Sequence, residues 1–241
     1  MFGAVVLLVA AAAGSVASVA GFGIGSLLTP LLALRVGTKT AVAAVSIPHL
    51  VGTSIRFWFL RRQVDRAVLR RFGVTSAAGG LTGALLHAWA SSRALAMVFG
   101  ALLVFAGGSQ ISGYAQRWRF HGGVAWLAGA ASGFFGGLVG NQGGIRSAAL
   151  LGFDLNRDQF VATATAIALM VDAARMPVYV VAERDQVAAI WPVVLAATVG
   201  VVAGTVGGGR LLARVPERRF RQIVGILLLC LGVATLIRGG A

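Results

Sequence analysis

The chain has 241 residues, of which 58% are hydrophobic and only 12% charged. A soluble domain of this length needs far more charge to cover its surface, and the apolar residues come in uninterrupted runs such as 94–108 and 187–207. The formal net charge of +14 does not read as nucleic-acid binding, because the basic residues sit in short loops between apolar blocks.

The first block, 4–34, is broken at its middle by Gly21-Phe-Gly-Ile-Gly-Ser26. No charge precedes Arg35, so the basic start of a secretory signal is missing and the segment is expected to stay in the mature protein. About thirty helical residues is long for one crossing, and a glycine cluster is a poor helix interior. The pattern fits either one broken span or a helical hairpin with its tip inside the protein. Ordinary apolar blocks follow at roughly 42–60, 72–90 and 94–113. Arg56 lies in the first of them, near enough to its end to snorkel. Pro48 is expected to kink that block and free a carbonyl. His49, beside it, titrates near neutral pH and could carry protons, but a lone histidine is more often a satisfied structural group. Arg61, Arg62, Arg66, Arg70 and Arg71 make the next connection strongly basic.

A basic linker, 114–123, carries Arg117 and Arg119 and leads to a second broken block, 124–153. Its break is Gly140-Asn-Gln-Gly-Gly144, and blocks at roughly 160–182, 187–207 and 221–237 follow. Arg146 comes just after the break with no acidic residue nearby, which makes it the arginine best suited to an anion. Asp172 and Arg175 are three apart, so they share a helix face and either neutralise each other or line a cavity. Pro177 is expected to kink this block as Pro48 kinks its own. Cys230, the single cysteine, reads as a lipid-facing or packing residue. His49, His87 and His121 are too far apart to suggest a metal site, and no cofactor is expected.

The halves repeat. Gly14–Gly21 can be laid on Gly133–Gly140 at an offset of 119, which then places Gly25 on Gly144, Leu31-Leu32 on Leu150-Leu151 and Arg56 on Arg175. With small insertions Gly83 meets Gly204, and Gly100 and Gly107 meet Gly225 and Gly232. Residues 1–113 and 124–241 are thus read as two transmembrane repeats. Charge chooses between the two readings of the breaks. With hairpins, the basic 61–71, 114–121 and 210–221 loops share one side and Glu183-Arg184-Asp185 lies on the other, as the positive-inside rule prefers. Three true crossings per half is an odd number, so the second half is expected to be inverted. The expected fold is all-α: a polytopic transmembrane helical protein of two inverted-topology repeats, each a broken helical hairpin plus three spans.

The breaks are the candidate site. Non-helical backbone inside a membrane is tolerated where it is buried in protein or lines a polar cavity, and the arm after each break starts with free N–H groups and a positive dipole end. The substrate-binding candidates are Gly23, Gly25, Ser26, Asn141, Gln142, Gly143 and Gly144, with Arg56, Arg146 and Arg175 as cations and Asp172 as their charge partner. The competing explanation is close helix packing. It accounts for Gly79-Gly80, Gly107-Gly108 and Gly207–Gly209, but less well for Asn141-Gln142, which need buried partners at membrane depth.

Gly21-Phe-Gly-Ile-Gly-Ser-Leu-Leu-Thr-Pro-Leu-Leu32 resembles the signature of the sulfite exporter TauE/SafE family: a glycine cluster, a short apolar stretch and Pro-Leu. Gly133–Leu151 looks like that family's second copy, with Ala149 in place of the proline and with Asn141, Gln142 and Arg146 in place of smaller or apolar residues. The resemblance implies transport of sulfite, thiosulfate or organosulfonates across a bacterial inner membrane, with the glycine clusters lining the path. The expected partners are a small anionic substrate, the lipid bilayer and a coupling ion, proton or sodium, with no nucleic acid. A gradient-independent anion channel and a non-transporting membrane assembly protein are the alternatives. No nucleophile with its base is visible, so an enzyme is not expected.

Overall fold

The computed structural model describes residues 1–113, 123–141, 143–208 and 216–240, and every regular element among them is helical. Gln142, most of the linker with Arg117, Arg119 and His121, and residues 209–215 of the last basic loop lie outside the described residues. Six helices are long and apolar enough to cross a membrane: Phe2–Ala20, Ile24–Gln63, Ser92–Ser112, Arg157–Ala182, Trp191–Gly208 and Arg221–Gly239.

Helix α1 (Phe2–Ala20) stops at Gly21, whose φ of 77° is a left-handed conformation that suits glycine. Gly23 lies so near α1 that a Cβ on it would stand 2.9 Å from Val16 Cγ1. Helix α2 (Ile24–Leu60) therefore starts by folding back, and Arg35 reaches a position 4.7 Å above the Phe2 ring. The chain turns again at Gly37 (φ 75°, ψ 161°), the non-helical residue inside α2. Residues 2–36 thus form a helical hairpin with its open end at Phe2 and Arg35 and a buried tip at Gly21–Gly23. Pro48 and Pro177 stay inside continuous helices, so the sharp break falls at Gly37 rather than at the expected proline.

The second half follows the same order. Helix α6 (Gly123–Val139) ends before Gly140 (φ 73°), and the short α7 (Gly143–Leu150) follows. Between the two hairpins come α3 (Arg66–Val68), a π-turn at Leu69–Gly73, α4 (Val74–Trp89) and α5 (Ser92–Ser112). After α7 come α8 (Arg157–Ala182), the short α9 (Arg184–Ala189), α10 (Trp191–Ala203, extended by a π-turn to Gly208) and α11 (Glu217–Gly240). Val187, expected at the start of a span, belongs to α9. The span itself begins at Trp191, with Pro192 in the first turn where its missing N–H costs nothing.

Glycine contacts set how these helices pair. Gly133 of α6 faces the Ser76 carbonyl of α4, and Gly14 of α1 faces the Val201 carbonyl of α10; at both, a Cβ would overlap the facing backbone. Gly79 meets Ala130 and Phe134, and Gly204 meets Ala11 and Ser15, which are the same positions at the 119 offset. Each hairpin therefore packs on a helix of the other half. Gly204 is matched by Gly79, one turn earlier than Gly83, because packing registers on backbone contact and the intervening loops differ. Helices α5 and α11 pair with each other. Gly100 opposes Gly232 and Gly107 opposes Gly225, so the two run antiparallel. Gly108 and Gly207, expected to pack, face open space: a Cβ at either would meet nothing within 4 Å.

Two ends of the bundle follow from polar contacts. At one end Lys39 donates to Ala88 O (2.7 Å) and lies 3.8 Å from Glu183. At the other, Asp65 N–H donates to Thr163 Oγ1 (2.9 Å), Arg221 donates to Gln110 O (3.2 Å), and Arg61 stacks on Trp58 (3.7 Å). The arginines from Arg61 to Arg71 gather at this second end. Trp89 and Trp191 at the first end and Trp58 and Trp126 toward the second point outward, as do Leu8, Leu127 and Val181. Water would not tolerate such a surface; lipid does.

Replacing Gly133 by Ala forces the α4–α6 backbones apart and should destabilise the protein by about 1–3 kcal/mol. Gly108→Ala, with open space around it, should leave stability unchanged. Thermal unfolding in detergent compares the two; equal midpoints would show that the α4–α6 contact is not tight.

Candidate functional site

A helix that stops inside the protein leaves its last carbonyls without intrahelical partners. Three successive carbonyls at the end of α6 are met by side chains, and that of Gly136 also accepts from Gly140 N–H (3.0 Å). Arg175 Nη1 donates to Gly136 O (2.6 Å), the Tyr179 hydroxyl to Gly137 O, and His87 Nδ1 to Leu138 O (2.8 Å), which puts the histidine proton on Nδ1. At the end of α1, Arg146 Nη2 donates to Gly21 O (3.1 Å). A cation at each of these ends also suits the negative pole of the helix dipole.

The two breaks touch. Gly25 lies against the Gly140 carbonyl and Gly143 against the Phe22 ring, so closely that neither position has room for a side chain. Ser26 Oγ donates to Asn141 Oδ1 (3.3 Å). The arm that starts at Ile24 has no side-chain cap, and Leu27 is the residue whose N–H first finds a carbonyl, that of Gly23 (3.0 Å). Gly144 is less confined: the nearest atom to a Cβ there is Ala106 Cβ at 3.5 Å, an ordinary contact.

Helix α8 brings a second polar layer against α2. Asp172 is fully buried, with Oδ1 2.7 Å from Arg175 Nη2 and Oδ2 2.7 Å from His49 Nδ1. The expected Asp172–Arg175 pairing is thus present, and His49 is satisfied by the same carboxylate. Arg56 donates Nε to Thr165 Oγ1 (2.9 Å) and is only 4% exposed. It does not snorkel, contrary to expectation. The turn at Arg61–Gln63 continues α2 beyond it, and the Asp65–Thr163 bond folds the connection against α8.

Several buried donors here have no acceptor among the described residues: Nε and Nη1 of Arg146, Nη1 of Arg56, Nε of Arg175 and Nδ2 of Asn141. Arg146 is 2% exposed. An unmet buried donor costs about 1–3 kcal/mol and more when charged, so this concentration of them is expensive unless an acceptor comes to it. Arg56, Arg146, Arg175 and Asp172 are also close enough to act on one another electrostatically. Three guanidinium groups against one carboxylate leave a net positive cluster in a medium that barely screens it. Among the described residues no group of three His, Cys, Asp or Glu forms that could hold a metal ion.

The geometry gathers Gly23, Gly25, Ser26, Asn141, Gly143 and Arg146 at the breaks, with Arg56, Asp172 and Arg175 in the adjoining layer; Gln142 lies outside the described residues. Sequence reading missed Tyr179, His87 and Thr165. Tyr179 had one available signal, its i+4 spacing from Arg175 on a helix facing a break.

The sequence matches the family described as sulfite exporter TauE/SafE over residues 6–235. The chain belongs to that family. Its members are membrane transporters, and six apolar helices agree with a multi-pass membrane protein. Comparison with curated proteins and with solved structures gives no match. In this TauE/SafE protein the family's glycine signature, Gly21–Leu32, is thus the hairpin tip and returning arm that press on the second break.

Asp172→Asn leaves Arg175 buried without its counter-charge and should cost about 3–5 kcal/mol of stability. Adding Arg175→Gln should recover part of that loss. A double-mutant cycle by thermal unfolding reads the coupling; strictly additive losses would mean that the two residues do not stabilise each other.

Proposed function

We propose that this protein is a secondary transporter of a small sulfur-containing anion, sulfite, thiosulfate or an organosulfonate, in a bacterial inner membrane. The observation that carries the reading is a set of buried donors with no acceptor among the described residues, on Arg146 and Asn141 where the two breaks meet and on Arg56 in the adjoining layer. An oxyanion offers several acceptor oxygens and negative charge, which is what this set lacks. Arg146 and Asn141 bind the anion, with the N–H groups of Gly25 and Ser26 opposite them and Gly23 and Gly143 allowing the close approach. Gly144 lets the backbone of α7 come near, and Arg56 and Arg175 supply the surrounding positive field, moderated by Asp172.

Transport proceeds by alternating access between two inverted halves. Support comes from the exchange of contacts at constant offsets, α1 with α10 and α6 with α4, and from the antiparallel course of α5 against α11. The end that carries Arg61 to Arg71 is cytoplasmic by the positive-inside rule, and the Glu183–Asp185 turn faces outward. Each half of the cycle exposes the anion from one hairpin's open end.

Thermal shift of the purified protein in detergent tests the reading across sulfite, thiosulfate, organosulfonates, sulfate and chloride. One sulfur oxyanion at a hundred times its dissociation constant should stabilise the protein by about 2.7 kcal/mol. Arg146→Ala should remove that shift and abolish transport while the protein still inserts in the membrane. Unchanged uptake by Arg146→Ala would remove this arginine from the site and the proposal with it.

A further inference from the structure

His49 and Asp172 form a buried titratable pair that anion binding alone does not require. We infer that this pair is a proton-binding site through which proton movement is coupled to anion transport. The inference rests on the anion-transport reading, since it assigns that transporter's coupling ion.

Asp172 is shared between a base and a cation. One oxygen lies 2.7 Å from His49 Nδ1 and the other 2.7 Å from Arg175 Nη2, and Arg175 in turn holds the Gly136 carbonyl at the end of α6. The carboxylate has no exposed surface, whereas the His49 side chain keeps 11%. A proton therefore reaches Asp172 through the imidazole. Taken up at the His49–Asp172 bridge, it cancels negative charge that holds Arg175 and makes the cluster of Arg56, Arg146 and Arg175 more positive. An anion binds the more positive cluster more tightly, and by reciprocity a bound anion favours the proton. Proton and anion thus travel together. The proton taken up on one side is released on the other, and only N–H and O–H bonds form and break.

The charged surroundings of His49 are few. Asp172 and Arg175 act on it from α8 and Arg56 from its own helix, with Thr53 Oγ1 at 3.5 Å. Helix α10 packs on the same stretch at Gly52 and has no ionisable residue between Trp191 and Gly208; α1 has none between Phe2 and Ala20. Lys39 and Glu183 sit at the far end of α2, Arg93 and Arg238 beside Gly37 and Thr38, and Arg184 approaches at Ala43 to Ile47. Pro48 precedes His49 and Pro177 follows Asp172 within the same helix, so both helices lack a backbone hydrogen bond near the pair and bend there at low cost.

The test uses the full chain in proteoliposomes with radiolabelled thiosulfate, and with methanesulfonate as a second probe. Their charge is constant across neutral pH, so any change in lumen pH is carried by the protein. An acid-outside gradient should drive accumulation without an anion gradient, and uptake should acidify the lumen. His49→Gln keeps an amide donor for Asp172 but no titratable nitrogen. It should lose gradient-driven accumulation by roughly tenfold, the scale of an ordinary coupling free energy, while retaining anion counterflow. Wild-type counterflow that ignores the pH gradient and leaves lumen pH unchanged overturns the inference and leaves the anion reading standing. Full gradient-driven accumulation by His49→Gln also overturns it. No counterflow of either probe in the wild type sinks the anion reading itself, and this inference with it. Should His49→Gln fail to fold, the wild-type lumen-pH measurement decides alone.

Discussion

A helix ended inside an apolar protein exposes carbonyls that neither water nor the next turn can satisfy, and the arrangement of this molecule follows from how it meets that demand. Arg175, Tyr179 and His87 reach Gly136, Gly137 and Leu138, and Arg146 reaches Gly21. Guanidinium groups are costly to bury, yet here they are held where helix ends offer negative dipole and free oxygen. Tethering uses only part of each arginine. Among the described residues the remaining donors of Arg146 have no acceptor, and it is this surplus on which the proposed anion site rests.

Glycine does the complementary work. At Gly133 against Ser76 and Gly14 against Val201, backbones touch with no side chain between them. In lipid, where apolar contact gains little, such close approach is a main source of helix association. These contacts tie α1 to α10 and α6 to α4. The polar layer of His49, Asp172, Arg175 and Arg56 lies between α2 and α8, each with an internal proline.

Much of this was legible in the sequence, for definable reasons. The breaks showed because glycine clusters with Asn141 are poor company for long apolar runs, and the likeness of the two halves was read from features such as Arg56 and Arg175 that recur at an offset of 119. Arg146 stood out because no acidic residue lay within a helical turn or two, and two of its nitrogens find no acceptor among the described residues. Arg175 and Asp172 were three apart and did pair. The His49–Asp172 contact was not readable, since its partners are separated by more than a hundred positions in sequence and only the packing of α2 on α8 unites them. Burial of Arg56 was misjudged because distance from a block's end says nothing of the loop that folds over it. The match of Gly204 to Gly79 was hidden because loops of unequal length shift the offset, and only backbone contact reveals the register.

An oxyanion bound between the two breaks, as proposed, should be replaceable by selenite, a heavier analogue of sulfite. The measurement is the anomalous signal of selenium in crystals of the protein grown with selenite. A selenium peak is expected between Gly25–Ser26 and Arg146, with its oxygens in hydrogen-bonding distance of Arg146 and Asn141. A peak elsewhere, with no selenium at the breaks, would contradict it.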